Sequence, residues 1–252
     1  MLITAVQERA EAELTAGTEL SGSLSIGLDL GTLAGTAPIG AIVGSDPEML
    51  FSTVDCVIDF TTPAATVNHA QLAKHTGTSL VIGTTGLDEA HLKALQEAGS
   101  RAVVVCSGNM SLGINILLGL VEQISRALDS DYDIEVLEMH HKHKIDAPSG
   151  TALMLGCAAA KGRAITNEAN SIMSRVGETG PRPSGAIGYS TLRGGDVIGE
   201  HSVIFAGEGE RIELTHKASD RALFANGAVH AALWTNNQSP GFYSMSDVLG
   251  LE

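Results

Sequence analysis

The sequence predicts an α/β protein of two domains: a parallel-sheet unit, then an α+β unit with a mixed, largely antiparallel sheet. Three observations carry this. Between Val54 and Leu128, short apolar runs alternate with amphipathic helical stretches, the pattern of βαβ units. After Asp131, apolar and polar residues alternate in strands joined by Gly-containing turns, as in a half-exposed antiparallel sheet. The 252 residues, 44% hydrophobic and 17% charged, suffice for two modest domains with full cores.

Taken in order, residues 54–60 are a compact apolar run closed by Thr61-Thr62-Pro63, a buried strand. A helix follows over 63–74, with Val67, Ala70 and Leu72 facing the core, and then a second buried strand over 79–83. The helix over 88–98 puts Leu92, Leu95 and Ala98 on one face and acidic residues in its first turn. Residues 101–106 are the third strand. Ser111 can cap a helix to about Leu128, striped by Ile114, Leu117, Leu118, Val121 and Ile124. The pattern then changes. Residues 133–140 read as a longer strand with one wet face, 149–161 as a helix, and 177–185 as a Gly/Pro/Ser-rich loop. Residues 187–192, 200–205 and 211–216 read as alternating strands, and 219–234 as a final helix.

Aromatic residues are only 4%, so Ala, Val, Ile and Leu fill the interior. Lys plus Arg number 15 against 29 Asp plus Glu, a net charge of −14 that repels a phosphate backbone and argues against nucleic-acid binding. Cys56, Cys106 and Cys157 form no C-x-x-C pair, so each is expected to be a small buried hydrophobe. No run reaches the ~18 apolar residues of a membrane span, and the first residues lack the basic start of a signal peptide. A soluble, reducing, cytoplasmic protein is expected.

The sharpest local feature is His140-His141-Lys142-His143-Lys144, three imidazoles and two ammonium groups in succession. Such basicity opposes itself unless an anion compensates it. The run fits an anion site, and it also fits a solvated turn. His141 and His143 would share a face for a metal if the strand ran on, although Lys142 and Lys144 would repel a cation. Asp146 to Ala152 is a turn feeding a helix. Pro148 suits a helix start, and Ser149, Gly150 and Thr151 place N–H groups and a hydroxyl at its positive end, for capping or for a carboxylate. Gly83-Thr84-Thr85-Gly86, Ser107-Gly108-Asn109-Met110 and Phe60-Thr61 end three successive strands, where open α/β sheets bind ligands.

The run from Glu138 to Ala152 resembles the signature of the 4-hydroxy-tetrahydrodipicolinate reductase (dihydrodipicolinate reductase) family. Ile58 to Thr61, Gly83 to Gly86, Gly194 to His201 and Thr215 to Arg221 resemble further family segments, in family order. The resemblance implies an NADH- or NADPH-dependent reductase of the diaminopimelate route to lysine, acting on a small cyclic dicarboxylate. It implies a Rossmann-like domain over 1–110 and 221–252, and a substrate-binding and oligomerisation domain over 111–220 whose sheet builds a homotetramer. It implies His140 as general acid/base, Lys144 as proton donor opposite the carbon taking hydride, His141 as a substrate contact and Gly150-Thr151 as the carboxylate-binding turn. Phe60, Thr61, Gly83, Thr84, Thr85, Ser107, Gly108, Asn109, Met110 and Arg221 match cofactor positions, and no metal is expected. By its place after the first helix, Glu19 matches the acid that binds the ribose hydroxyls. It is followed by Leu20, and no Lys or Arg occurs from Glu11 to Leu72, so NADH is favoured.

The chain departs from the family at its start. Met1 to Val6 resembles the helix that follows the family's first strand and Gly-rich loop, and neither precedes it. This predicts weaker NADH binding and lower stability than an upstream-extended chain would show. It also leaves two other readings: a member that keeps the substrate site alone, and a metal hydrolase using His140, His141 and His143.

Overall fold

The computed structural model describes residues 1–251, in two compact units: Met1–Ser111 with Ala222–Gly250, and Leu112–Arg221 with Leu251. The two internal boundaries fall one residue beyond the expected positions, and Leu251, expected in the first unit, groups with the second.

The first unit opens with α1 (Leu2–Gln7), β1 (Gly17–Thr18), α2 (Leu30–Leu33), β2 (Val43–Gly44) and α3 (Pro47–Thr53). β1 and β2 pair in parallel as a small separate sheet. Then come β3 (Cys56–Asp59), α4 (Pro63–Thr76), β4 (Ser79–Ile82), α5 (Glu89–Ala98) and β5 (Val103–Cys106), with β3, β4 and β5 parallel neighbours. Leu80, Val81, Ile82, Val104 and Val105 have no exposed surface, which is why these strands read as unbroken apolar runs. The Thr62 hydroxyl accepts the Ala65 N–H at the start of α4, and Gly77 at φ +82° ends it. Its buried residues are Thr66, Ala70 and Ala73; Val67 and Leu72, expected to face the core, are only half-buried. The helix turns Thr66 inward because that hydroxyl bonds Thr84 on the next loop.

The second unit runs through α6 (Leu112–Ala127), β6 (Asp133–His140), α7 (Gly150–Gly162), α8 (Asn167–Asn170), β7 (Ser171–Ile172), β8 (Ile187–Arg193), β9 (Gly199–Gly207) and β10 (Glu210–Ala218). The strand order is β10-β9-β6-β8-β7. β9 is antiparallel to both β10 and β6, but β8 is parallel to β6. The expectation that residues 187–192 join an alternating antiparallel run is thereby corrected. α7 lies in the chain between β6 and β8, and such a crossover makes them parallel. Ile114, Leu117, Val121 and Leu155 of the helices pack with Ile134, Val136, Ile187, Val203 and Phe205 of the sheet. Cys157, expected to be buried, is exposed, because α7 turns Leu155, Gly156, Ala159 and Ala160 inward instead.

The chain then returns to the first unit with α9 (Ala222–Thr235), β11 (Gly241–Tyr243) and α10 (Met245–Leu249). β11 adds in parallel to β5, completing the order β11-β5-β4-β3. Ala225 and Val229 of α9 bury against Ala5 of α1. Among the described residues, no helix is long and apolar enough to cross a membrane.

Candidate active site

β6 carries the centre of the second unit. Its inward residues are Ile134, Val136, Glu138 and His140, so the buried face turns from apolar to ionisable over its last four residues. Glu138 is 1% exposed and accepts four hydrogen bonds. His140 Nδ1 lies 2.6 Å from Oε2, the Ser149 N–H reaches Oε1 at 3.0 Å, and the Arg193 fork bonds both oxygens at 2.7 and 2.9 Å. Burial alone would raise the Glu138 pKa. The bonds from Arg193, His140 and Ser149 outweigh it and hold the carboxyl below its usual range. Burial, aided by the Lys144 and Arg193 cations, pushes His140 below its ordinary value despite the Glu138 carboxylate. At neutral pH, therefore, His140 is an uncharged imidazole that donates Nδ1–H to Glu138. Its Nε2 keeps a free lone pair, close over Gly199, where an added Cβ would lie 3.1 Å away.

Beyond His140 the chain turns. The Lys142 N–H bonds the Gly195 carbonyl and the Lys144 N–H bonds the His141 carbonyl, so strand geometry ends before His141 and His143 can share a strand face. Lys144 Nζ sits 2.8 Å from Asp146 Oδ1, while the Asp146 carbonyl accepts from Arg193. The Lys144 bond holds the Asp146 carboxyl below its usual range. Arg221, assigned by resemblance to the cofactor, belongs to the second unit. It donates to His141 Nε2 at 3.3 Å, and both border an open basin with Lys142, His143, Gly195 and Asp196. Ser149 caps α7, its hydroxyl accepting the Ala152 N–H at 3.2 Å. Gly150 is exposed at the positive end of α7 with open space beside it, and Thr151 is half-buried next to it. Among the described residues, no group of three or more His, Cys, Asp or Glu is placed to hold a metal.

Sequence reasoning did not assign Glu138, Asp146, Arg193 or His201 a place in this site. Glu138 had a readable signal, since it continues the two-residue period of Ile134 and Val136. His201 had none. It is 4% exposed on β9, its Nε2 is 3.1 Å from Ser149 Oγ, and its ring meets His140 edge-on at 5.0 Å. Burial, followed by the nearby His140, pushes its pKa down to about 4. An unfolded His titrates near 6.5, so the unfolded chain takes up this proton first. The stability His201 gives is complete above pH 6.5 and lost as pH falls toward 4. With a folded value of about 4, the full effect is on the order of 3 kcal/mol, about 2 of it gone by pH 5. Urea unfolding at pH 7 and pH 5 should show His201→Gln losing less stability than the parent chain over that interval; equal losses would remove His201 as the cause.

The first unit presents three successive loops at the carboxyl ends of β3, β4 and β5. Phe60 is partly exposed and its ring lies over Gly83, where an added Cβ would come within 2.3 Å of ring carbons. Thr85 is exposed and Gly86, at φ +78°, has open space beside it. Ser107 Oγ donates to the Asn109 carbonyl at 2.8 Å, and Asn109 Oδ1 accepts the Ser111 N–H at 2.9 Å, so this turn is pre-formed, with Gly108 exposed at its tip. Two residues assigned to cofactor contact are turned inward. The Met110 side chain is buried, and Thr84, 4% exposed, spends its hydroxyl on Asp59 at the end of β3, Thr61 on the loop after it and Thr66 of α4. Glu19 directly follows β1 and is exposed.

A parallel sheet with donor-rich carboxyl-end loops, joined in one chain to a buried carboxylate–imidazole site beside a helix N-terminus, defines a two-unit oxidoreductase of the Rossmann type. The family models described as dihydrodipicolinate reductase, N-terminus and C-terminus, match residues 1–110 and 113–249. The chain therefore belongs to the dihydrodipicolinate reductase family. It is 54% identical over 251 residues to the 4-hydroxy-tetrahydrodipicolinate reductase of Dinoroseobacter shibae, covering 100% of this chain and 93% of the relative. The enzyme of that name from Rhizobium rhizogenes is 57% identical over 254 residues, covering 99% and 92%. Among solved structures, the dipicolinate-bound dihydrodipicolinate reductase of Paenisporosarcina sp. TG-14 shares the fold with a TM-score of 0.75 at 22% identity, covering 96% of this chain and 91% of that one. An amine dehydrogenase from Mycobacterium smegmatis shares it with a TM-score of 0.58 at 11% identity, covering 97% and 91%.

Proposed function

We propose that this chain reduces 4-hydroxy-tetrahydrodipicolinate to tetrahydrodipicolinate with a nicotinamide dinucleotide, in the diaminopimelate route to lysine. The observation that carries the reading is the buried His140, fixed by Glu138, in the same unit as the Lys144–Asp146 ion pair and the N-terminus of α7. The overall change consumes NAD(P)H and a proton and releases NAD(P)+ and water. When bound, the nicotinamide supplies the hydride. The donor set at the carboxyl ends of β3, β4 and β5 suits such a group: backbone N–H groups and hydroxyls, with open space at Gly86. Phe60, Thr61, Gly83, Thr85, Ser107, Gly108 and Asn109 would hold it.

The chain's own residues divide the remaining work. The Lys144 ammonium gives a proton to the carbon opposite the one that is reduced. Asp146 holds that ammonium in place. As the hydroxyl leaves as water, His140 Nε2 takes the proton lost from the neighbouring carbon and passes it to the departing oxygen. The N–H groups at the positive end of α7 and the Thr151 hydroxyl take a substrate carboxylate, and Arg221, beside His141, adds positive charge. Thr151→Val should raise KM by about 10-fold with a smaller loss of kcat, since ground and transition states both carry that carboxylate. An unchanged KM would move the carboxylate elsewhere.

The direct test follows cofactor oxidation by absorbance with freshly generated substrate; no substrate-dependent oxidation would overturn the reading. Glu19 and the absence of Lys or Arg from Glu11 to Leu72 favour NADH. One or two charge interactions set the preference at roughly 5- to 150-fold in kcat/KM at low salt. A preference for NADPH would remove Glu19 as the ribose ligand. The same reading makes the chain a cytoplasmic homotetramer built on the sheet of the second unit, which light scattering would test.

A further inference from the structure

The first unit holds a buried carboxylate that the reaction does not use. Asp59 is the last residue of β3 and is 2% exposed. Its Oδ1 accepts the Thr61 hydroxyl at 2.6 Å and the Thr84 hydroxyl at 3.3 Å, and its Oδ2 lies 2.9 Å from His69 Nδ1. Thr84 Oγ1 in turn accepts the Thr61 N–H and the Thr66 hydroxyl, each at 2.9 Å. Every hydroxyl proton is used once. Thr61 follows β3, Thr84 follows β4, and Thr66 and His69 stand three residues apart on one face of α4. The carboxylate is thus the acceptor that ties two strand-end loops to the helix between them. Burial would raise its pKa, but the bonds from His69 and Thr61 keep it below the usual range. A buried strand end needs no charge for its fold, and an ionised group is retained there only when fully bonded. The loops it joins lie at the sheet edge where α/β folds take ligands. The ring of Phe60 closed down on Gly83 shows how tightly they are held.

We infer that Asp59, through Thr61, Thr84 and His69, is a positioning residue for the nicotinamide dinucleotide, fixing the spacing of the loops after β3 and β4. The inference rests on the reductase reading above.

The test is direct binding of NADH to the full chain, followed by fluorescence and by calorimetry. Losing a charged hydrogen bond that orders the loops should raise Kd by about 10- to 100-fold in Asp59→Asn and in Thr84→Val. Thr84→Ser keeps the hydroxyl and should stay within about threefold of the parent chain. At saturating NADH, kcat should change by less than about threefold and the KM for the dicarboxylate should stay put, because transition-state contacts are intact. Variants that lose only thermal stability and bind NADH like the parent chain would overturn the inference, leaving Asp59 as a fold element. If Asp59→Asn does not fold, the contrast between Thr84→Val and Thr84→Ser decides the matter. A parent chain that binds neither NADH nor NADPH would overturn the reductase reading, and this inference with it; a parent chain that binds while the variants bind equally well overturns the inference alone.

Discussion

Lys144→Ala should lower kcat by a factor on the order of 10²–10⁴, the usual loss on removing a general acid. The argument starts from what else could donate. Burial and the neighbouring cations hold His140 below its ordinary pKa, and its one proton at neutral pH is engaged by Glu138. It has none to give from Nε2. Lys144, 21% exposed and bonded to Asp146 at 2.8 Å, is the charged donor beside it. The variant carries its own control. The Lys144 charge is one of the causes that depress His140, so removing it should raise the His140 pKa, visible in its imidazole NMR titration. The Asp146 carboxyl, held down first by its bond to Lys144, should move up as well. Near-normal turnover accompanied by both titration shifts would remove Lys144 from the chemistry while confirming that the substitution reached the site.

How far this site could be read from the chain depends on the distance over which each contact is made. β3, β4 and β5 were legible because strands covered on both faces are apolar throughout. β11 was not: three residues, Gly241 to Tyr243, carry no period of their own and become a strand only because β5 offers an edge. β1 and β2, two residues each, are strands for the same reason. At the site, His140, Lys144 and Thr151 stand within one short run and could be picked out together. Arg193 and His201 reach it through register. Arg193 pairs with His140 across β8 and β6, and His201 pairs with Glu138 across β9 and β6. Nothing local to residue 193 or 201 announces that neighbour. The inward turn of Thr84 and Met110 was hidden for a related reason. Strand-end loops look alike in sequence, and only the packed neighbour decides which side chains face the ligand edge and which secure the loop from beneath.

Glu138→Gln should be the most damaging single change in the second unit. The carboxylate accepts four hydrogen bonds, from His140, Ser149 and both Arg193 Nη atoms. An amide of the same shape has one oxygen, so its NH2 would face donors it cannot satisfy. With Glu138 1% exposed, breaking such a buried pair should cost about 3–5 kcal/mol in urea unfolding. Catalysis should suffer separately. Without the carboxylate, the His140 ring loses the partner that fixes its tautomer and orientation, and kcat should fall by about 10²–10³-fold even in the folded fraction. The two effects separate in a double variant. Replacing Glu138 and Arg193 together by Leu removes the unpaired charge and should recover much of the stability, because an apolar pair of similar bulk is tolerated where a half-pair is not. It returns nothing to His140, whose Nδ1–H still lacks its acceptor, so kcat should stay low. If turnover rises in step with stability in the double variant, Glu138 acts only through the fold, and the orientation of His140 must come from another group, with the edge-on ring of His201 at 5.0 Å the nearest one to test.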